Sequence, residues 1–352
     1  MNNDNKIYKL CLVFIILLLS GLAFVSVWGI NQTEKQNSYF VVDNSGYKTI
    51  FNSKPTRVLC YNLTYDTILL GIVPADYLVA KNYLDKDPAI SYIAEETKNI
   101  KTEYRLFKQL GEESIMAMNP QVIFVPDTLD KNVIESYRAM GIKTVVCRGP
   151  NSIDDIRYNI RLMSQSLGKE ENGDKLIREM DRQLAEVHDK IQLKQAEQPV
   201  VMLVSRMRQY GGIGCVYDDI CKRAGVRNAI SMQGIHYGET VTKESIIASN
   251  PDIFLVSAGR EYEEAIDVQF RKEFLEDPAF QHLKGIKRVI AIPDRYIYSN
   301  SQNCVYAIKG LYNSIYGPTF DMKEEKLLKG YKLYPFVKTN LKEKKRILPA
   351  KK

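Results

Sequence analysis

Tyrosine and arginine recur where the β-branched runs of this sequence end. Tyr61 ends the run 56–61 and Tyr65 follows it, Arg148 follows 143–147, Arg206, Arg208 and Tyr210 follow 200–205, and Arg260 and Tyr262 follow 252–257. In open α/β sheets these positions form ligand-holding loops. A guanidinium forks onto carboxylate or catecholate oxygen and a phenol ring stacks on flat groups, so the set suits an anionic, aromatic, oxygen-rich small molecule. The plainer reading of any one arginine is a surface salt bridge. His236 and Tyr237, in a loop before a helical stretch, offer an imidazole and a phenol to an open coordination position such as a haem iron. An ordinary loop pair is the alternative.

The elements that must position these residues are short strands separated by helices. Strand-like runs occur at 56–61, 77–80, 121–125, 143–147, 200–205, 252–257 and 288–292. Their alternation with helical stretches indicates βαβ units and mainly parallel sheets. Between 152 and 191 no strand is expected. Ser152 with Asp155 resembles a capping box, and Ile153, Ile156, Ile160, Met163 and Leu167 follow a helical spacing up to Gly168. A second helix then carries Leu176, Ile177, Met180, Leu184, Val187 and Ile191 on one face. The expected fold class is α/β, with two Rossmann-like lobes joined by one long helix. The boundaries read as 1–30 for an N-terminal anchor or signal, 40–168 for the first lobe, 169–197 for the connecting helix, 198–320 for the second lobe and 321–352 for a basic tail.

An internal repeat supports two lobes of one plan. EESIMAMNPQVIFV (112–125) and KESIIASNPDIFLV (243–256) match at seven of fourteen positions without a gap, and Tyr65-Asp66 is echoed by Tyr217-Asp218. In each copy a short helix closes at Asn-Pro and feeds a buried strand. Glu113 and Glu244 occupy identical places near the two helix starts. Each is an acid favoured by the helix dipole; together they are also a matched pair of exposed carboxylates, one per lobe, suited to basic residues of a partner.

Residues 10–30 form an apolar run of 21 residues with Lys6 and Lys9 before it, long enough to span a bilayer and oriented to export the rest of the chain. It reads as an uncleaved anchor, with cleavage after Gly29 as the alternative. Cys11 lies at the start of the run, where a lipid-attachment cysteine does not belong. The other five cysteines are scattered without CxxC or metal-ligand spacing and read mostly as buried thiols, with Cys215 and Cys221 the one candidate bridge. Net charge is +7, but residues 323–352 carry eleven Lys/Arg against three Asp/Glu, so the body is near neutral and no basic stripe indicates nucleic acid. The tail reads as a solvated extension or a contact to an anionic surface. No nucleophile elbow, P-loop, HExxH or dinucleotide fingerprint is present, and there are three histidines, so no catalysis and no bound cofactor are expected.

Five blocks, KPTRVLCYNLTYDTILLGIVPADYLVAKN, GEESIMAMNPQVIFV, NSIDDIRYNIRLMSQSLGKEENGDKLIREM, VYDDICKRAGVRNAI and TKESIIASNPDIFLV, resemble in order those of the helical-backbone class of ABC-transporter substrate-binding proteins. The resemblance runs over about 54–316. It implies an extracytoplasmic monomer that holds a metal chelate between its lobes and hands it to a permease, with ATP hydrolysed by partner subunits. It also implies that Glu113 and Glu244 dock onto permease arginines. A ferric siderophore is the first expected ligand, haem the second, cobalamin or an oxyanion the third; Trp28, the only tryptophan, lies in the apolar run. Gln121 departs from the family's aspartate after the first-lobe proline. A sensor or adhesin on the same scaffold and a chelatase-like enzyme are the rival readings.

Overall fold

A computed structural model describes residues 38–191, 194–258, 265–323 and 325–332. The apolar run, Arg260, Tyr262 and the end of the basic tail lie outside the described residues. The first lobe opens with an antiparallel hairpin, β1 (Tyr39–Val42) and β2 (Lys48–Phe51), followed by β3 (Val58–Cys60), α1 (Leu63–Ile72), β4 (Lys81–Asn82), α2 (Ala94–Thr97), β5 (Glu103–Tyr104), α3 (Glu112–Met118), β6 (Val122–Pro126), α4 (Lys131–Ala139) and β7 (Lys143–Cys147). Strands β3, β6 and β7 form a parallel sheet in that order, and β4 pairs with β5 beside it.

Two antiparallel-packed helices follow, α5 (Ile153–Ser166) and α6 (Glu170–His188). Ser152 caps α5 by accepting the Asp155 amide at 3.1 Å, and Gly168 takes φ +59° to turn the chain into α6. The connecting helix stops at His188, short of the expected 197. Its last turn tightens to three-residue hydrogen bonds, Lys190 N to Val187 O and Ile191 N to His188 O, and a separate 3₁₀ turn, Gln195–Glu197, precedes Pro199.

The second lobe comprises β8 (Val200–Val204), α7 (Val216–Arg223), β9 (Arg227–Asn228), α8 (Ala229–Met232), α9 (Lys243–Ser249), β10 (Ile253–Ser257), α10 (Ala265–Glu276), β11 (Val289–Ile292), α11 (Asp294–Ile297) and α12 (Cys304–Tyr316). Its sheet is all parallel in the order β11-β10-β8-β9. Five-residue β6 and β8 are buried along their whole length, as strands covered on both faces must be. The five described cysteines are buried free thiols, so Cys215 and Cys221 form no bridge.

The repeat is structural. Helices α3 and α9 each have seven residues, and each ends on an asparagine in the left-handed region, Asn119 at φ 47° and Asn250 at φ 37°, before proline and an interior strand of its sheet. Two expectations change. The run 77–80 makes only an isolated bridge, Val58 with Leu78, because the 3₁₀ turn over Ala75–Tyr77 that Pro74 opens takes its first residue and ladder pairing resumes only at β4. Residues 325–331, expected in a solvated tail, strap the second lobe to the first. Leu327 and Leu328 are buried, Asn303 Nδ2 donates to Lys326 O (3.0 Å), Gly330 N donates to Gly71 O (2.8 Å), and the Tyr331 hydroxyl lies 3.2 Å from Leu70 O and 3.1 Å from Val73 O. A Cβ on Gly330 would stand 1.8 Å from Asn172 O, so only glycine passes there.

Candidate functional site

In both sheets the strand C-terminal ends are where open α/β folds present ligand loops. The lobes meet beside these ends: the Ile153 amide opening α5 donates to Asp219 Oδ2 in the first turn of α7 at 3.1 Å. Gln302 Nε2 donates to Thr67 O at 2.7 Å, Arg295 reaches Pro88 O and Ala89 O, and Tyr92 stacks on Tyr306 with centroids 5.7 Å apart. These contacts join the two lobes.

On the second-lobe rim, the loop 205–214 after β8 is laced to the loop 234–241. Tyr237 N donates to Ile213 O (2.8 Å), Gly238 N to Gln209 O (2.9 Å) and Val241 N to Arg208 O (3.0 Å). Gly212 permits this closeness, since a Cβ there would lie 2.4 Å from Ile235 O. Arg206 and Arg208 are exposed. Tyr210 instead turns inward, where its hydroxyl donates to Ile297 O at 2.8 Å and its ring packs on Tyr298 (5.1 Å) and edge-on to Tyr237 (6.4 Å). Tyr237 is 55% exposed, and its phenol is raised above the ordinary tyrosine value by partial burial and by Cys215. His236 is exposed beside it, its backbone amide bound by Glu239 Oε2 at 2.7 Å. The rim therefore offers an imidazole and a phenol in neighbouring positions, backed by a packed tyrosine cluster.

A cavity of about 200 Å³ lies behind this rim, between β8, α9 and α10, with Leu203, Ile246 and Phe274 in its wall and Arg208 and Lys243 among its polar groups. Lys243 is committed to Asp277 at 2.5 Å.

The first-lobe rim differs from expectation. Tyr61 is half-buried after β3, tilted on Phe107 at 5.1 Å. Tyr65 is only 1% exposed and points away from solvent; its hydroxyl donates to Arg148 O at 3.0 Å and so shapes the loop after β7 from below. Arg148 is engaged within the lobe, stacked on Tyr158 at 3.9 Å, with Nη1 3.4 Å from Asp155 and Nε donating to Asn44 Oδ1 at 3.2 Å. Arg148 thus makes a surface ion pair while its side chain stays 43% exposed. Sequence reasoning missed Tyr298, which joins the cluster through Ser205 (Oγ to hydroxyl 2.9 Å); it follows β11 as the other candidates follow their strands, and the same positional rule applies to it.

Glu113 and Glu244 lie in the first turns of α3 and α9, both exposed. The Glu244 carboxyl is held below its usual range by its own backbone amide and the Thr242 hydroxyl, so it stays ionised. Among the described residues no group of three His, Cys, Asp or Glu is placed to hold a bare metal ion.

The comparisons accord with this geometry. The model of the family described as "Periplasmic binding protein" matches residues 58–296. No curated protein sequence matches the chain. Among solved structures, the chain is similar to the periplasmic heme-binding protein RhuT from Roseiflexus sp. RS-1, at 21% identity and TM-score 0.61, over 73% of this chain and 98% of that one. It is also similar to a periplasmic binding protein from Veillonella parvula, at 17% identity and TM-score 0.63, over 80% and 98%. A possible iron-binding periplasmic solute-binding protein from Staphylococcus epidermidis aligns at 18% identity and TM-score 0.58, over 75% and 100%. A family match across more than half of the chain, on two parallel-sheet lobes joined through a helix, places this chain in the periplasmic binding protein family, within the helical-backbone class.

Proposed function

We propose that this protein is the extracytoplasmic binding component of an ABC importer. It holds a ferric chelate between its lobes and presents it to a permease through Glu113 and Glu244, tethered by the apolar run 10–30. The observation that carries the reading is the pair of matched carboxylates: one per lobe, in equivalent helical turns, exposed, and oriented by two copies of the same helix–Asn–Pro–strand unit. A partner with two arginines at fixed spacing engages both at once only when the lobes are correctly placed, which links docking to closure. No bond changes in this step, and ATP is spent by the partner's cytosolic subunits.

Haem is the ligand proposed first, ahead of the ferric siderophore. Arg148 is occupied within its own lobe, whereas His236 and the half-exposed Tyr237 are presented together. A phenol or imidazole of this kind completes the coordination of an iron held in a flat macrocycle. The names of RhuT, and of BhuT solved with two hemes, support the same order. A ferric siderophore, held by Arg206 and Arg208, is the second reading, favoured by the exposure of both guanidinium groups.

The test is uptake by cells carrying Glu113→Ala with Glu244→Ala. Transport should fall by about tenfold or more while chelate binding by the purified variant stays within about twofold, the signature of lost docking. Unchanged transport would move the protein to the sensor or adhesin class.

A further inference from the structure

The hairpin β1–β2 has one face in the core and one in solvent. Val41, Thr49 and Phe51 point inward; Phe40, Val42, Lys48 and Ile50 point outward. A solvated sheet face is ordinarily polar. Here three of the four outward side chains are large apolar groups, Phe40 at 55%, Val42 at 51% and Ile50 at 56% exposed, with Phe40 directly opposite Ile50 and Tyr47 exposed in the turn. Cations sit on the aromatic rings: Lys48 Nζ is 3.9 Å from the Phe40 centroid, and the Arg138 guanidinium is 3.7 Å from that of Tyr47. The platform is fixed from behind by Tyr39 stacked on Phe51 (5.3 Å), by the Tyr39 hydroxyl on Ser166 O (2.9 Å) and by the Asp43–Arg138 ion pair (3.0 Å).

We propose that this face rests on the lipid surface. The inference relies on the proposed anchor. The run ends at Ile30 and the hairpin begins at Tyr39, so the eight intervening residues reach at most about 28 Å even when fully extended. A rigid apolar patch held that close to a bilayer, with the Lys48 ammonium over Phe40 on the same outward face and able to swing to a lipid phosphate, has the chemistry of an interfacial contact with anionic lipid. The contact orients the first lobe against the membrane before any permease is met.

The experiment uses the full chain in phosphatidylcholine vesicles with and without phosphatidylglycerol. In a Cys11→Ser background, Ile50→Cys is labelled with an environment-sensitive fluorophore, and Met232→Cys on the second lobe serves as the control. Bilayer quenchers should dim the label at 50 at least about twofold more than at 232, and Lys48→Glu should reduce that difference in the anionic vesicles. A chain that resists alkaline carbonate yet shows equal quenching at both positions overturns the inference and leaves the anchor standing. Cross-linking of the unlabelled Ile50→Cys thiols of two copies by a bis-maleimide, in place of quenching of the labelled form, overturns it in favour of self-association. Release by carbonate defeats the anchor, and the inference with it.

Discussion

Gln121 and Asp252 perform the same task in the two lobes. Each follows the helix-closing proline and ties the start of its lobe's first sheet strand. Gln121 Oε1 accepts the Thr56 and Arg57 amides at 2.7 and 3.1 Å, and Asp252 Oδ2 accepts the Val200 amide at 2.9 Å. The one departure of the repeat from its family pattern thus preserves the bond that sets strand order. Gln121→Ala should destabilise the protein by about 1–2 kcal/mol by leaving two amides without that acceptor, and Gln121→Asp should recover part of the loss. Denaturant midpoints at constant m-value check both.

A buried carboxyl pair makes the first lobe lose stability as pH rises from the acid range to neutrality. Asp66 and Asp85 are fully buried and share the Asn82 amide, at 3.3 and 3.0 Å. Burial pushes the Asp66 carboxyl up to about 7, and burial together with the neighbouring Asp66 pushes Asp85 well above its ordinary value. The folded state therefore holds a proton that the unfolded chain releases near pH 4. Its stabilising effect is complete below that pH and is lost as pH rises toward about 7. Asp66→Asn, which keeps an acceptor for Asn82, should flatten the fall in unfolding free energy between pH 4 and 8 by up to about 4 kcal/mol. An unchanged slope in the variant would show that the pair does not hold that proton.

Much of this architecture was legible in the sequence, because local physics decided it. The run 143–147 is a strand buried along most of its length, Ser152 is a cap, and the two Asn-Pro units are what their spacing indicated. What escaped was decided by partners distant in sequence. Tyr65 is buried because α1 is covered almost all round, so no stripe distinguished its inward residues. The outward face of β1 is as apolar as its inward face, which removed the alternation that marks a strand. Leu327 and Leu328 sit among lysines and became core only through Gln302, Asn303 and the end of α1. At the candidate site, the positional rule names loops after strands but not the side-chain directions within them, because Tyr210 is drawn inward by Ile297 O and Arg148 is paired with Asp155.

The C-terminal strap should contribute measurably to stability. Tyr331→Phe removes a hydroxyl lying on two carbonyls and should cost about 1 kcal/mol. Gly330→Ala should cost more, since its Cβ would meet Asn172 O at 1.8 Å and force the strap to shift. Thermal unfolding of both variants, with chelate affinity measured alongside, separates loss of the strap from damage to the site.

Proton release on binding gives a further expectation. Tyr237 carries its proton in the unliganded protein, as a phenol does near neutral pH, and partial burial and Cys215 raise its pKa further. Coordination of ferric iron as phenolate expels that proton, so haem affinity should rise by up to about tenfold per pH unit below the phenol's pKa. Affinity measured at pH 6, 7 and 8 should lose this slope in Tyr237→Phe.

The most direct test is a haem titration of the purified full chain followed in the Soret region, with Tyr237→Phe and His236→Ala in parallel and ferric siderophores as competitors. A saturable Soret shift with one class of site is expected, weakened at least about tenfold by Tyr237→Phe in a variant whose thermal unfolding is unchanged. A folded protein that gives no saturable Soret change and is stabilised by no ferric chelate would contradict chelate capture as its function.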